Sequence, residues 1–194
     1  MNFVSKRYVI KIPSEISVLY CEEKKILLIK SKDRQKLLNL QVKVLILKEK
    51  NLLIVTNKPY SKLSNKWKNL FKSLQGTTVS LIKQALIEVS VITYKKLKLV
   101  GVGYKVFEPE MANNLNFKLL QLKLGYSHSL YYKIPNDLTI KTTQSTKLFI
   151  SGYNFLKLSQ TASILRNCKI PDPYKGKGIV YANEIITLKE GKKV

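Results

Sequence analysis

Two stretches of this chain spell the same short pattern, and that repetition limits the folds open to it. Ile12-Pro13-Ser14-Glu15-Ile16-Ser17-Val18 and Ile134-Pro135-Asn136-Asp137-Leu138-Thr139-Ile140 agree in chemical type at every position. The agreement continues in unbroken register, because Lys25-Ile26-Leu27-Leu28 then meets Lys147-Leu148-Phe149-Ile150. Each copy reads as strand, turn, strand. A duplicated unit predicts two similar lobes, each an antiparallel sheet packed against one helix, in the α+β class. The boundary is expected near residues 90–95. Residues 1–92 then form an N-terminal sheet-plus-helix lobe, and residues 93–194 a C-terminal one that ends in a basic tail.

The rest of the chain is consistent with that plan. Strand-length segments recur at Tyr8–Ile12, Ile16–Tyr20, Lys25–Lys30, Val42–Leu47 and Leu52–Thr56, and Pro13-Ser14, Glu22-Glu23 and Lys50-Asn51 mark turns between them. They predict a meander. Asn57–Tyr60 breaks it. From Ser64, a candidate N-cap, to Val91 the apolar residues fall at helical spacing: Trp67, Leu70, Phe71, Leu74, Leu81, Ile82, Ala85, Leu86 and Val89. Gly76-Thr77-Thr78 is expected to weaken or bend that helix. Alternation returns over residues 95–107 and 114–127, then in His128–Ile134, Leu138–Thr142 and Lys147–Ser151. Tyr153–Cys168 predicts a second helix with Phe155, Leu158, Ala162 and Leu165 on one face; Pro171 and Pro173 forbid its extension.

Charge narrows the function. Thirty-five Lys plus Arg against 12 Asp plus Glu leave +23, and the excess is spread over both halves. A folded body this basic repels itself unless a polyanion neutralises it, and RNA is the first candidate. Only Arg7, Arg34 and Arg166 are arginines. Arg is the better bidentate phosphate ligand, so the preference for Lys reflects an AT-rich coding genome and not mechanism. No apolar run approaches the ~20 residues of a membrane span. The N-terminal MNFVSKRYVIKIP enters strand-like sequence without an Arg-rich leader, so the protein is expected to be made where it works or to have lost its leader.

Catalysis finds little footing. His128 is the one histidine, and strand alternation would point Ser127 and Ser129 away from it. Cys21 and Cys168 lack metal-ligand spacing and are expected to be buried free thiols. Gly101-Val102-Gly103-Tyr104 is not followed by a helical pattern, so its glycines are expected to mark a bulge or a close backbone approach. No cofactor, metal or small-molecule substrate is expected. Pro171–Gly178 is different. Lys175 and Lys177 flank Gly176, Tyr174 can stack or hydrogen-bond, and amides near the glycines are expected to be open to phosphate oxygens. Arg166 and Lys169 extend the patch; Lys189, Lys192 and Lys193 add a basic exit.

Lys96–Tyr104, Leu124–His128 and PDPYKGKGIVYANE at 171–184 together resemble the bacterial-type large-subunit ribosomal protein L6 family. The resemblance is strong from Lys95 onward and weak over residues 1–60. It implies two similar α+β lobes, no active site, and a place in the large subunit near the sarcin–ricin loop and the factor-binding region. Partners would be large-subunit rRNA and neighbouring ribosomal proteins, with no membrane. The residues expected to bind RNA are Lys96, Lys98, Arg166, Lys169, Tyr174, Lys175, Gly176, Lys177, Gly178, Lys192 and Lys193. Glu88 and Ile92 stand where the family usually has glycines, and Val79 where it commonly has Arg. The AT-biased composition and divergent first lobe suggest a mitochondrial copy, with a plastid or bacterial cytoplasm as alternatives. The rival to a ribosomal role is a nucleic-acid-binding regulator acting outside the ribosome.

Overall fold

The computed structural model describes residues 8–55, 64–108, 110–111 and 117–191. It divides into two compact units at Val91/Ile92. The first contains β1 (Val9–Lys11), β2 (Ser17–Cys21), β3 (Ile26–Lys30), β4 (Gln35–Asn39), β5 (Val44–Leu47), β6 (Leu52–Val55) and α1 (Asn65–Ser90). These strands form two antiparallel sheets, ordered β1-β6-β5 and β2-β3-β4. Only β2-β3-β4 is a meander, because β6 returns between β1 and β5. Period-two alternation sets the inner faces: Leu27 and Ile29 of β3, and Leu53 and Val55 of β6, are fully buried. Ile82, Ala85, Leu86 and Val89 of α1 complete that core.

The second unit contains β7 (Thr93–Val100), β8 (Lys105–Val106), β9 (Glu110–Met111), β10 (Lys118–Lys123), β11 (Leu130–Ile134), β12 (Leu138–Thr143), β13 (Lys147–Gly152), α2 (Phe155–Asn167) and β14 (Gly178–Tyr181). One sheet runs β12-β13-β7-β14. The other runs β11-β10-β8, with β9 also on β10. All pairings are antiparallel. Leu158, Ala162 and Leu165 of α2 are fully buried against this second core. The architecture is α+β in two similar lobes, each holding two sheets and one helix where the sequence suggested one sheet.

The duplication is visible as geometry, with one correction. Ile16 N–H donates to the Pro13 carbonyl at 3.1 Å, and Leu138 N–H donates to the Pro135 carbonyl at 3.0 Å. The second strand of each copy does not hold the register read from the sequence. Val18 sits opposite Ile29, while Ile140 sits opposite Ile150. The true equivalents are therefore Leu27 with Leu148 and Ile29 with Ile150. The turn Gln144–Thr146 is one residue shorter than Glu22–Lys25. Burial parity agrees, since all four of those side chains are essentially inaccessible.

Chain order differs between the lobes although neighbours do not. Matching β1-β2-β3 to β11-β12-β13 also matches β6 to β10, β5 to β8 and β4 to β7. In the first lobe β4, β5 and β6 follow this motif; in the second their equivalents precede it. Each helix nevertheless packs on the equivalent strands, α1 on β3 and β4 and α2 on β13 and β7. Among the described residues β14 has no first-lobe counterpart.

Other expectations need revision. The alternation over 95–107 is not one strand; β7 ends at Val100, a turn follows, and β8 begins at Lys105. α1 runs unbroken through Gly76, and Ser64 caps it without a side-chain hydrogen bond. The first turns of α1 lie outside the core, with Trp67 and Leu70 exposed. Thr56 and Asn57–Tyr60 fall outside the described residues. Among the described residues no helix is long and apolar enough to cross a membrane.

Candidate nucleic-acid interface

Three sequence motifs of the second lobe converge. Tyr104 lies against Gly101 and Gly125, and a Cβ at either glycine would come within 2.9 Å of its ring. These glycines are thus a close approach, as expected, but to a side chain. The bend 125–128 then presents Tyr126, whose hydroxyl donates to the Cys168 carbonyl at 3.1 Å. Lys169 Nζ lies 4.2 Å from the Tyr126 ring centroid, a cation–π contact that fixes the lysine beside the loop that follows α2.

That loop is built on Asp172. Its carboxylate accepts from Tyr174 N–H at 3.1 Å and Lys175 N–H at 3.3 Å. Gly176 N–H donates to the Asp172 carbonyl at 2.8 Å, and Asp172 N–H donates to the Lys177 carbonyl at 3.0 Å. The loop amides expected to meet phosphate are therefore engaged internally at Tyr174, Lys175 and Gly176. Asp172 holds all three, Tyr174 and Lys175 through its carboxylate and Gly176 through its carbonyl, so these amides are turned inward while the side chains of Tyr174, Lys175 and Lys177 are left outward. Tyr174, Lys175 and Lys177 are exposed, while Gly176 and Gly178 are buried. Gly178 has no room for a Cβ, which would lie 2.5 Å from Pro171 Cα. Beyond β14 the chain folds back: Lys189 N–H donates to the Pro173 carbonyl at 2.9 Å and Leu188 lies over Gly176. Lys189 is thereby brought to the same loop.

Arg166 is paired within the chain. Its guanidinium grips Glu184 through two nitrogens, with Nε to Oε2 at 3.1 Å. Tyr181 N–H donates to the same Oε2. The hydrogen bonds from Arg166 hold the Glu184 carboxyl below the usual carboxylate range, and Glu184 raises the Arg166 pKa in turn. The pair ties α2 to the segment after β14. Sequence reading missed both Glu184 and Asp172; an acid inside a basic motif was the available signal. Lys96 and Lys98 lie on the outward face of β7. Lys192 and Lys193 are outside the described residues.

His128 lies in the bend and not in a strand. Ser127 Oγ is 3.5 Å from its Nδ1, at the limit of a hydrogen bond, so the facing argument from alternation does not apply. Cys21 and Cys168 are free, and Cys21 is exposed, because odd positions of β2 point outward. Burial raises the Cys168 thiol pKa. Among the described residues no group of three or more His, Cys, Asp or Glu could hold a metal.

The fold and this loop define a basic two-lobed α+β protein whose second lobe presents lysines on a rigid glycine hairpin. Residues 100–182 match the model of the family described as Ribosomal protein L6. The chain is 43% identical over 121 residues to large ribosomal subunit protein uL6 of Mycoplasma genitalium, covering 62% of each chain. It is 41% identical over 125 residues to uL6 of Rhodopseudomonas palustris, 64% of this chain and 67% of the relative. Against uL6m of Reclinomonas americana it is 42% identical over 130 residues, 67% and 66% of the two chains. The chain belongs to the ribosomal protein L6 family. The match spans 62% of the length of the Mycoplasma genitalium relative and 67% and 66% of the other two.

Proposed function

We propose that the protein is a structural constituent of the large ribosomal subunit and has no reaction of its own. It binds and braces rRNA near the factor-binding, sarcin–ricin region. The observation that carries this is the Asp172-built loop, which leaves Lys175, Lys177 and Tyr174 exposed beside Lys169 and Lys189. Lysines neutralise phosphate, and the rigid loop fixes their register. Residues 1–92 and 93–194 act as two lobes, the second supplying the main contact. Lys169, Tyr174, Lys175, Lys177, Lys192 and Lys193 face RNA. Gly176 and Gly178 shape the loop, and Arg166 holds the segment beyond it. The relatives are named as large-subunit ribosomal proteins, which supports rRNA and neighbouring ribosomal proteins as partners. The mitochondrial ribosome is the proposed location; the relative named uL6m and the Lys-over-Arg composition support it.

Sedimentation in moderate salt tests the reading. The protein should cofractionate with the large subunit at one copy per particle, and a mostly free protein would refute it. Lys175→Glu with Lys177→Glu should impair incorporation while leaving the circular dichroism of the isolated chain unchanged.

A further inference from the structure

The outward face of β12-β13-β7 carries a chemistry that the loop does not. Cross-strand register sets Lys141, Phe149 and Lys96 in one row, and Thr143, Lys147 and Lys98 in the next. The rings of Tyr94 and Phe149 stack at 5.2 Å between centroids and 23° between planes. Lys96 Nζ lies 5.4 and 5.8 Å from the two centroids. A groove of about 360 Å³ opens along Lys96, Lys98, Lys141, Lys147 and Phe149. None of these outward positions is acidic, and Tyr94 is 59% exposed.

The first lobe supplies an internal comparison. The equivalent row there is Leu19, Leu28 and Leu37, paired in register across β2, β3 and β4. The same position in the same sheet thus carries Leu-Leu-Leu in one lobe and Lys-Phe-Lys in the other. The scaffold does not require the lysines. Lys147 directly opposite Lys98 is unfavourable in the free protein, as like charges paired across strands repel. An anion on this face removes that penalty.

We propose that this face is a second RNA contact, separate from the Pro171–Gly178 loop, and that it holds an unpaired nucleotide. The base stacks on the Tyr94–Phe149 pair, and Lys96, Lys98, Lys141 and Lys147 take the flanking phosphates. A duplex fits poorly, because its base faces are covered and the major groove of A-form RNA is too deep and narrow for a sheet to enter. An aromatic pair among lysines is the arrangement that binds single strands. The inference rests on the reading of the chain as an rRNA-binding protein.

The test uses the full chain, a fluorescein-labelled oligouridine of about ten nucleotides, within the usual site size, and an RNA duplex of equal length. Tyr94→Leu with Phe149→Leu should weaken oligouridine binding on the order of tenfold or more, since base stacking on aromatics is that strong, and leave duplex binding unchanged. Lys98→Gln with Lys147→Gln should lower the salt slope for oligouridine by about 1.4, at roughly 0.7 per phosphate contact. A 4-thiouridine oligomer should crosslink at Tyr94 or Phe149, and should still do so in the Lys175→Glu, Lys177→Glu chain. Unchanged oligouridine affinity in the aromatic variant, or equal losses for single strand and duplex, overturns the proposal. Circular dichroism of each variant separates lost binding from lost folding. Failure to cofractionate with the large subunit, with these oligouridine results intact, would sink the ribosomal reading alone.

Discussion

Tyr104 occupies a slot that two glycines leave open. Gly125 has φ +73°, and a Cβ there would lie 2.9 Å from the Tyr104 ring. Gly125→Ala therefore combines backbone strain with overpacking and is expected to destabilise the chain by about 1–3 kcal/mol, read from a denaturant midpoint. Two glycines and an aromatic could be read as a close approach, but not which atom approaches. At Arg166 the sequence shows less still: it offers a cation near a lysine loop, and only the fold sets Glu184 within its reach. Glu184 is held below the ordinary carboxylate range, so its contribution is full above that range and is lost as pH falls through its lowered folded-state value. Exposure and salt screening keep the effect modest. In an acid titration the stability gap between wild type and Glu184→Gln should stay constant near neutrality and shrink below about pH 4, where carboxylates protonate. A gap that widened in acid would contradict this account.

At the level of elements, α1 shows how far periodicity reaches. Its spacing predicts one apolar stripe along its whole length. The structure buries Val79, Ile82, Ala85, Leu86 and Val89 and partly buries Leu74, but leaves Trp67, Leu70 and Leu81 of the same stripe exposed. Gly76 sits in this helix in open space, with nothing within 4 Å of the point a Cβ would occupy. Gly76→Ala should therefore stabilise the free protein by about 0.5–1 kcal/mol, the difference in helix propensity, seen as a raised Tm. Further along, Glu88 is 5% exposed and pairs with Lys36 of β4, and it also accepts from Gln84 Nε2 at 2.9 Å. Lys36→Met removes one cation from a buried carboxylate and should cost about 1–3 kcal/mol in urea unfolding; Lys36→Met with Glu88→Met should recover part of it. Val79, where the family commonly has Arg, is buried in the same core. β4 itself was not legible in advance: Gln35-Lys36-Leu37-Leu38-Asn39 places Leu37 outward and Leu38 inward, and a leucine pair shows no alternation.

At the scale of the whole molecule, charge and topology meet. A net +23 on a folded two-lobed body would make the proposed binding to rRNA strongly electrostatic. Engagement of six to ten phosphates should lose roughly 10³–10⁵ in affinity between about 50 and 200 mM salt, measured by filter binding to large-subunit rRNA. A shallow salt slope would mean that few lysines touch phosphate. The two lobes share neighbours but not chain order, and this limited what a repeat could reveal. Ile12–Val18 and Ile134–Ile140 align because they are the same strand entry, so duplication could be read directly. The one-residue difference in the following turns could not, since two apolar strands look alike when shifted by one position.

Local chemistry was sufficient to determine the class of fold, the duplication, both helices and the lysine loop. Alternation, helical spacing and Pro/Gly punctuation act within a few residues and leave their mark in the order of the chain. Only the tertiary structure decided which cations stay free and which are claimed by Asp or Glu, and which strands stand side by side. It also decided that equivalent sheet faces carry leucine in one lobe and lysine with phenylalanine in the other. Those outcomes depend on residues distant in sequence meeting in space, and no local pattern encodes such a meeting.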